Sequence, residues 1–65
     1  MENWYDKLIK ILKEQGYTLH KRKSGSHEKW INISTNKRVT VATSLDSRNL
    51  ANKILAQADI DYRFK

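Results

Sequence analysis

The chain has 65 residues, with thirteen Lys and Arg against seven Asp and Glu and a net charge of +6. It reads as one small domain over 1–65, near the size at which a single apolar core leaves little net stability. The absence of cysteine excludes a disulfide framework and thiolate zinc sites. Two histidines without clustered carboxylates offer no built metal site, and Lys7, Lys10 and Lys13 interrupt the N-terminal apolar run, which excludes a secretory core or a membrane span. A cytoplasmic protein without a cofactor is expected, and its field suits a polyanion: nucleic acid, an acidic protein or anionic lipid.

Mean hydropathy is low at −0.80, yet the apolar residues recur with regular periods, which predicts a folded domain. Residues 3 to 15 predict an amphipathic helix. At about 100° per residue, Trp4, Tyr5, Leu8, Ile9, Ile11 and Leu12 fill an arc of roughly 160°. A membrane-surface helix would share that pattern, but here the polar face mixes signs: Asp6, Lys7, Lys10, Lys13 and Glu14. Gly16 stands where a left-handed stop is expected.

After Gly16 the period changes to two. Tyr17, Leu19, Lys21 and Lys23 alternate with Thr18, His20 and Arg22; Ile31 and Ile33 alternate with Trp30 and Asn32; Val39 and Val41 alternate with Thr40 and Ala42. The intervening turns, Ser24–Gly25–Ser26 and Thr35–Asn36–Lys37, each centre on a residue that tolerates positive φ. Centring the hairpins on Gly25 and Asn36 pairs Leu19 with Ile31 and Val41, and Tyr17 with Ile33 and Val39, six apolar side chains on one face. Asp46 or Ser47 would cap a second helix at about 48 to 58, whose Leu50, Ala51, Ile54, Leu55 and Ala58 face the sheet. The fold class is α+β, ordered α-β-β-β-α, with both helices on one face of a three-stranded antiparallel sheet.

On this register His27 points to the helix side at the tip of the first hairpin, with Lys21, Lys23 and Lys29 on the same face. Such a corner suits a phosphate, held by lysine charge and by the backbone N–H groups of the turn, Gly25 and Ser26 included, where a side chain on Gly25 would block close approach. A neutral imidazole there would take the proton from an RNA 2′-hydroxyl, so that the oxygen attacks the neighbouring phosphate without a metal. A lone histidine in a glycine turn is also an ordinary surface residue. His20, on the open face, is expected against Trp30; Trp30 either stacks a base or shields the sheet. Arg22 is expected to pair with Glu28, and Asp59 and Asp61 read as solvated.

Gln15-Gly16-Tyr17 at the helix end, the basic strand, Gly25-Ser26-His27 with Trp30 three residues on, Val39-Thr40-Val41 and Ile54-Leu55-Ala56-Gln57-Ala58 together resemble HicA-type mRNA interferase toxins, the YcfA-like family. The resemblance spans nearly the whole chain. It implies a double-stranded-RNA-binding-like fold, a single catalytic histidine carried by His27, ribosome-independent mRNA cleavage and neutralisation by a cognate HicB-type antitoxin. Two positions depart from the family pattern: Ala42-Thr43-Ser44 stands where Pro-His is common, so a second histidine is not available as the acid, and glycine is usual near Asp59. Two other classes remain open. One is a non-catalytic RNA-binding module of the same fold, although the last helix offers only Arg48 and Lys53 and the first hairpin loop is short; the other is a basic protein-interaction subunit.

Overall fold

The structure, a computed structural model, describes residues 4–65 apart from the side chains of Lys23 and Ser24. The expected helix start at residue 3 and the face taken by Lys23 lie outside the described residues. The elements follow the expected order: α1 (Trp4–Glu14), β1 (Tyr17–Ser24), β2 (His27–Asn32), β3 (Lys37–Ala42) and α2 (Arg48–Gln57). The sheet is antiparallel in the order β1-β2-β3. Neither helix is long and apolar enough to cross a membrane.

Helical spacing accounts for α1. Leu8 and Leu12, one turn apart, are fully buried, with Trp4, Tyr5, Ile9 and Ile11 packed partly around them. Gly16 ends the helix at φ +92°, a backbone that favours glycine, while a Cβ there would make no more than an ordinary contact, at 3.4 Å, with the Asn32 amide. Ser47 caps α2 by accepting from the Leu50 N–H at 3.3 Å. Ala51, Ile54 and Leu55 then face the core, whereas Leu50, expected with them, is 49% exposed at the first turn. Asp59 adopts φ +63° just beyond α2, supplying the left-handed residue for which the resembling family usually has glycine. The chain then returns across the helices. Phe64 donates its N–H to Asn52 Oδ1 at 2.7 Å, accepts from Asn52 Nδ2 at 3.0 Å and meets Trp4 edge-on at 5.2 Å.

The expected register is wrong in β2. Glu28, Trp30 and Asn32 are its buried residues, whereas Ile31 lies on the open face and Ile33 is 78% exposed in the following turn. Trp30 stands between Leu19 and Val39, and Ile31 between Thr18 and Arg38, so neither expected row, Leu19–Ile31–Val41 or Tyr17–Ile33–Val39, forms. The expectation holds near the first turn, where Lys21 faces Lys29 and Arg22 faces Glu28. Between that segment and Tyr17, His20 is an extra residue in β1, and a second irregularity follows at Lys23. A bulge of this kind reverses the parity of everything beyond it.

The second hairpin is displaced by a side chain. Asn32 Oδ1 accepts from Ser34 N at 3.0 Å and Thr35 N at 3.3 Å, while its Nδ2 donates to the Gln15 carbonyl at 3.0 Å. The turn therefore occupies residues 33–36 instead of centring at 35–37, with Asn36 at φ +61° closing it. Gly25 does not take the left-handed backbone expected of it; among the described residues that conformation belongs to Gly16, Asn36 and Asp59.

Burying Glu28 is tolerated because its carboxylate is fully supplied. It accepts from the Tyr5 hydroxyl at 2.5 Å and Trp30 Nε1 at 3.3 Å, and pairs with Arg22 Nε at 3.2 Å. The Arg22–Glu28 pair is the one expected from sequence. Burial, then the hydrogen bond to Glu28, push the Tyr5 phenol from its ordinary 10.0 up to about 12. Tyr17, whose hydroxyl donates to the Ala58 carbonyl at 2.7 Å, is shifted upward too, first by burial and then by the Asp59 charge. A phenol whose pKa is raised on folding stabilises the fold below its ordinary pKa and loses that contribution as pH rises through the folded value. Melting temperature should therefore fall as pH rises from 10.0 towards about 12. In Tyr5→Phe the fall should be shallower, and an unchanged slope would remove Tyr5 as its source.

Candidate functional site

His27 is the first residue of β2, directly after the Gly25–Ser26 turn, and is paired with Ser24 on one side and Ala42 on the other. Because Glu28, Trp30 and Asn32 face the core, His27, Lys29 and Ile31 face away from it. The histidine is thus exposed on the open face of the sheet, not on the helix side as expected, because its neighbour Glu28 is held inward by Tyr5 and Trp30, and the extra residue His20 lets Tyr17 and Leu19 stay inward as well. The surroundings expected for it survive in part. Lys21 and Lys29 are direct cross-strand partners on the same open face, so both still accompany His27.

The turn holding the imidazole is tied down from the turn that follows β3. The Ser26 carbonyl accepts from Thr43 N at 2.7 Å and from Thr43 Oγ1 at 3.3 Å. Ser26 Oγ lies 3.3 Å from His27 Nδ1. In the tautomer with Nδ1 protonated, that N–H donates to Ser26 Oγ and leaves Nε2 unprotonated, the form needed to accept a proton. Just below, the Glu28 carboxylate joins β2 to Tyr5 on α1 and to Arg22 on β1, anchoring the residue next to His27 in the core.

Gly25 is open on every side: a Cβ added there would meet nothing of the protein within 4 Å. Neither packing nor backbone conformation demands glycine at this position.

The expected His20–Trp30 contact does not form, whereas the two acidic residues are solvated as expected. His20 is not opposite Trp30, which faces Leu19 and is only 3% exposed. Trp30 cannot stack a base on the open face, since it is inside. Asp59 is exposed and lies 3.5 Å from Lys37 Nζ, a surface pair of small energetic consequence, and Asp61 is exposed as well.

Sequence reasoning missed three contributors. Thr43 fastens the turn from a loop whose sequence has no periodic signal. Arg38 and Thr40 join the open face, opposite Ile31 and Lys29 respectively. Their alternation with Val39 and Val41 was sufficient to find them, because β3 buries the residues expected of it.

The family model described as the HicA toxin of bacterial toxin-antitoxin systems matches residues 5–60, which takes in both helices, the sheet and the Gly25-Ser26-His27 turn. No curated protein and no solved structure matches the chain. With the family model covering most of its length and every element of its fold, the chain belongs to the HicA toxins of bacterial toxin–antitoxin systems.

Proposed function

We propose that this toxin is an endoribonuclease that cleaves mRNA with His27 as its general base. HicA toxins are generally mRNA-cleaving ribonucleases that act with HicB antitoxins. The observation that carries the assignment to this residue is an exposed imidazole on a tethered turn, its Nδ1 beside Ser26 Oγ, on a face it shares with Lys21 and Lys29.

Nε2 of the neutral ring takes the proton of a ribose 2′-hydroxyl. The freed oxygen attacks the adjacent phosphorus, the bond to the 5′-oxygen breaks, that oxygen takes a proton from water and leaves as the 5′-hydroxyl of the next fragment, and the strand ends in a 2′,3′-cyclic phosphate. Lys21, Lys23 and Lys29 supply positive charge to the phosphate as it gains charge in the transition state. The backbone at Gly25 and Ser26 receives a phosphate oxygen, and the empty space around Gly25 supports that role, since a side chain there would obstruct only a ligand. Imidazole and ammonium groups suffice for these steps, so the mechanism is metal-independent. A cognate HicB-type antitoxin covering this cationic corner with acidic groups would block RNA and stabilise the toxin by mass action.

The test is the chemistry of the product. Purified toxin incubated with a long mRNA in excess EDTA should cut it and leave cyclic-phosphate ends, and adding the antitoxin should stop the cutting. Dependence on a divalent cation, or 5′-phosphate ends, would require a hydrolytic water in place of the 2′-oxygen. Salt-sensitive binding without any cutting would reduce the protein to an RNA-binding module.

A further inference from the structure

The open face of the sheet is cationic in a way the fold does not need. Its rows run Ser24–His27–Ala42, Lys21–Lys29–Thr40 and Thr18–Ile31–Arg38 from strand to strand. Successive rows are separated along β2 by two residues, about 6.8 Å of antiparallel rise.

Lys21 directly faces Lys29, a like-charge cross-strand pair that works against sheet stability. Among the described residues no carboxylate lies on this face, because Glu28 is turned into the core. Nor is there an ion pair for Lys21, Lys29 or Arg38 among the described residues; the side-chain pairs formed by cations of the sheet are Arg22–Glu28 and Lys37–Asp59, both on the other side.

The face is also devoid of aromatic rings. The chain has two Trp, three Tyr and one Phe. Trp4 and Tyr5 are on α1, Tyr17 and Trp30 are in the core, and Tyr62 and Phe64 pack in the returning C-terminal segment. Sheets that read bases do so with exposed aromatics on which the bases stack. This sheet has turned its Trp inward and kept cations, threonines and Ile31 outside.

We propose that a single-stranded RNA segment crosses this open face from His27 towards Arg38, held by its phosphates on Lys21, Lys29 and Arg38 without base stacking, so that cleavage tolerates any base beside the cut. The proposal rests on the ribonuclease reading for its ligand and adds the track, the contribution of Arg38 and the indifference to base identity. Single-stranded RNA is the substrate because the 2′-oxygen must rotate into line with the departing 5′-oxygen, a geometry that a duplex backbone opposes. Charge on phosphates fixes position and carries no sequence information.

Binding is measured apart from cutting by using the His27→Ala protein with fluorescein-labelled homopolymers of uridine, adenosine and cytidine. The three should bind within a few-fold of one another. Arg38→Glu in that background should weaken all three by about tenfold and lower the salt slope by about 0.7 for each phosphate that the variant no longer neutralises. Lys53→Glu on α2 should have little effect. Lys21→Thr should weaken binding yet raise the melting temperature of RNA-free protein, because it removes the opposed charge.

Unchanged binding in Arg38→Glu, a larger loss in Lys53→Glu, a homopolymer preference above about a hundredfold, or a lower melting point in Lys21→Thr would overturn the track. The two readings fail separately: RNA bound on this face by a parent protein that never cuts removes the nuclease and keeps the track, whereas cutting and binding that ignore Arg38 remove the track and keep the nuclease.

Discussion

His27→Ala should reduce RNA cleavage by about 10² to 10⁴-fold, the usual worth of general acid–base catalysis, and should abolish growth arrest on expression. Its fold should be intact. The imidazole is exposed, and the side-chain contact that fixes it is the exposed one to Ser26 Oγ, so its loss should alter stability by less than about 1 kcal/mol. RNA affinity should persist, since the phosphate contacts proposed above are those of Lys21 and Lys29. The other histidine, His20, is the extra residue of the β1 bulge and is not a cross-strand neighbour of His27. The comparison needs one RNA, both proteins and their melting curves. A variant that cuts like the parent has its base elsewhere; one that melts far earlier has lost a structural residue.

Trp30→Ala should leave little folded protein at growth temperature. The indole is 3% exposed and stands between Leu19 and Val39 in the middle of the sheet. Emptying such a site costs about 3–5 kcal/mol, comparable to the whole stability expected of a 65-residue domain with one core. The substitution also removes the Nε1 donor from a carboxylate that is 1% exposed. Trp30→Phe restores much of the ring but not the donor, so it should melt between parent and Ala variant. Circular dichroism melts of the three proteins test the order. A folded Trp30→Ala protein with normal melting and weakened RNA binding would make the ring a stacking platform after all.

These two substitutions bear on neighbouring parts of one strand and separate its faces. The side of β2 formed by Glu28, Trp30 and Asn32 is structural, and its polar members are there because each has partners: Tyr5, Arg22 and Trp30 for Glu28, and Gln15 with the 33–36 turn for Asn32. The side formed by His27, Lys29 and Ile31 has no such partners in the core and remains available to a ligand. Loss of Glu28 would therefore loosen the anchor under the histidine without touching the substrate, through three donors left behind in or near the core.

The local signals in the chain determined a good deal. Helical periodicity, read over 3–15 and about 48–58 and found as helices over 4–14 and 48–57, the Gly16 stop, the Ser47 cap, the order of five elements, Val39 and Val41 in the core, and the Arg22–Glu28 pair all follow from spacing and residue type, because each depends on neighbours a few residues away or across one turn. The Gly25-Ser26-His27 turn was legible for the same reason, and so was its proximity to Lys21 and Lys29. What the tertiary structure alone decided was which face of β2 lies inside. Alternation gives two equivalent parities, and choosing Ile31 and Ile33 over Trp30 assumed that strand faces are sorted by hydrophobicity alone. The choice was made instead by contacts distant in sequence: Glu28 meeting Tyr5 from α1, and Asn32 meeting Gln15 at the α1 end, with the extra residue His20 absorbing the shift. A buried polar group costs little once it is fully hydrogen-bonded, and those bonds exist only after α1 has packed against the sheet. That one choice carried His27 from the helix side to the open face.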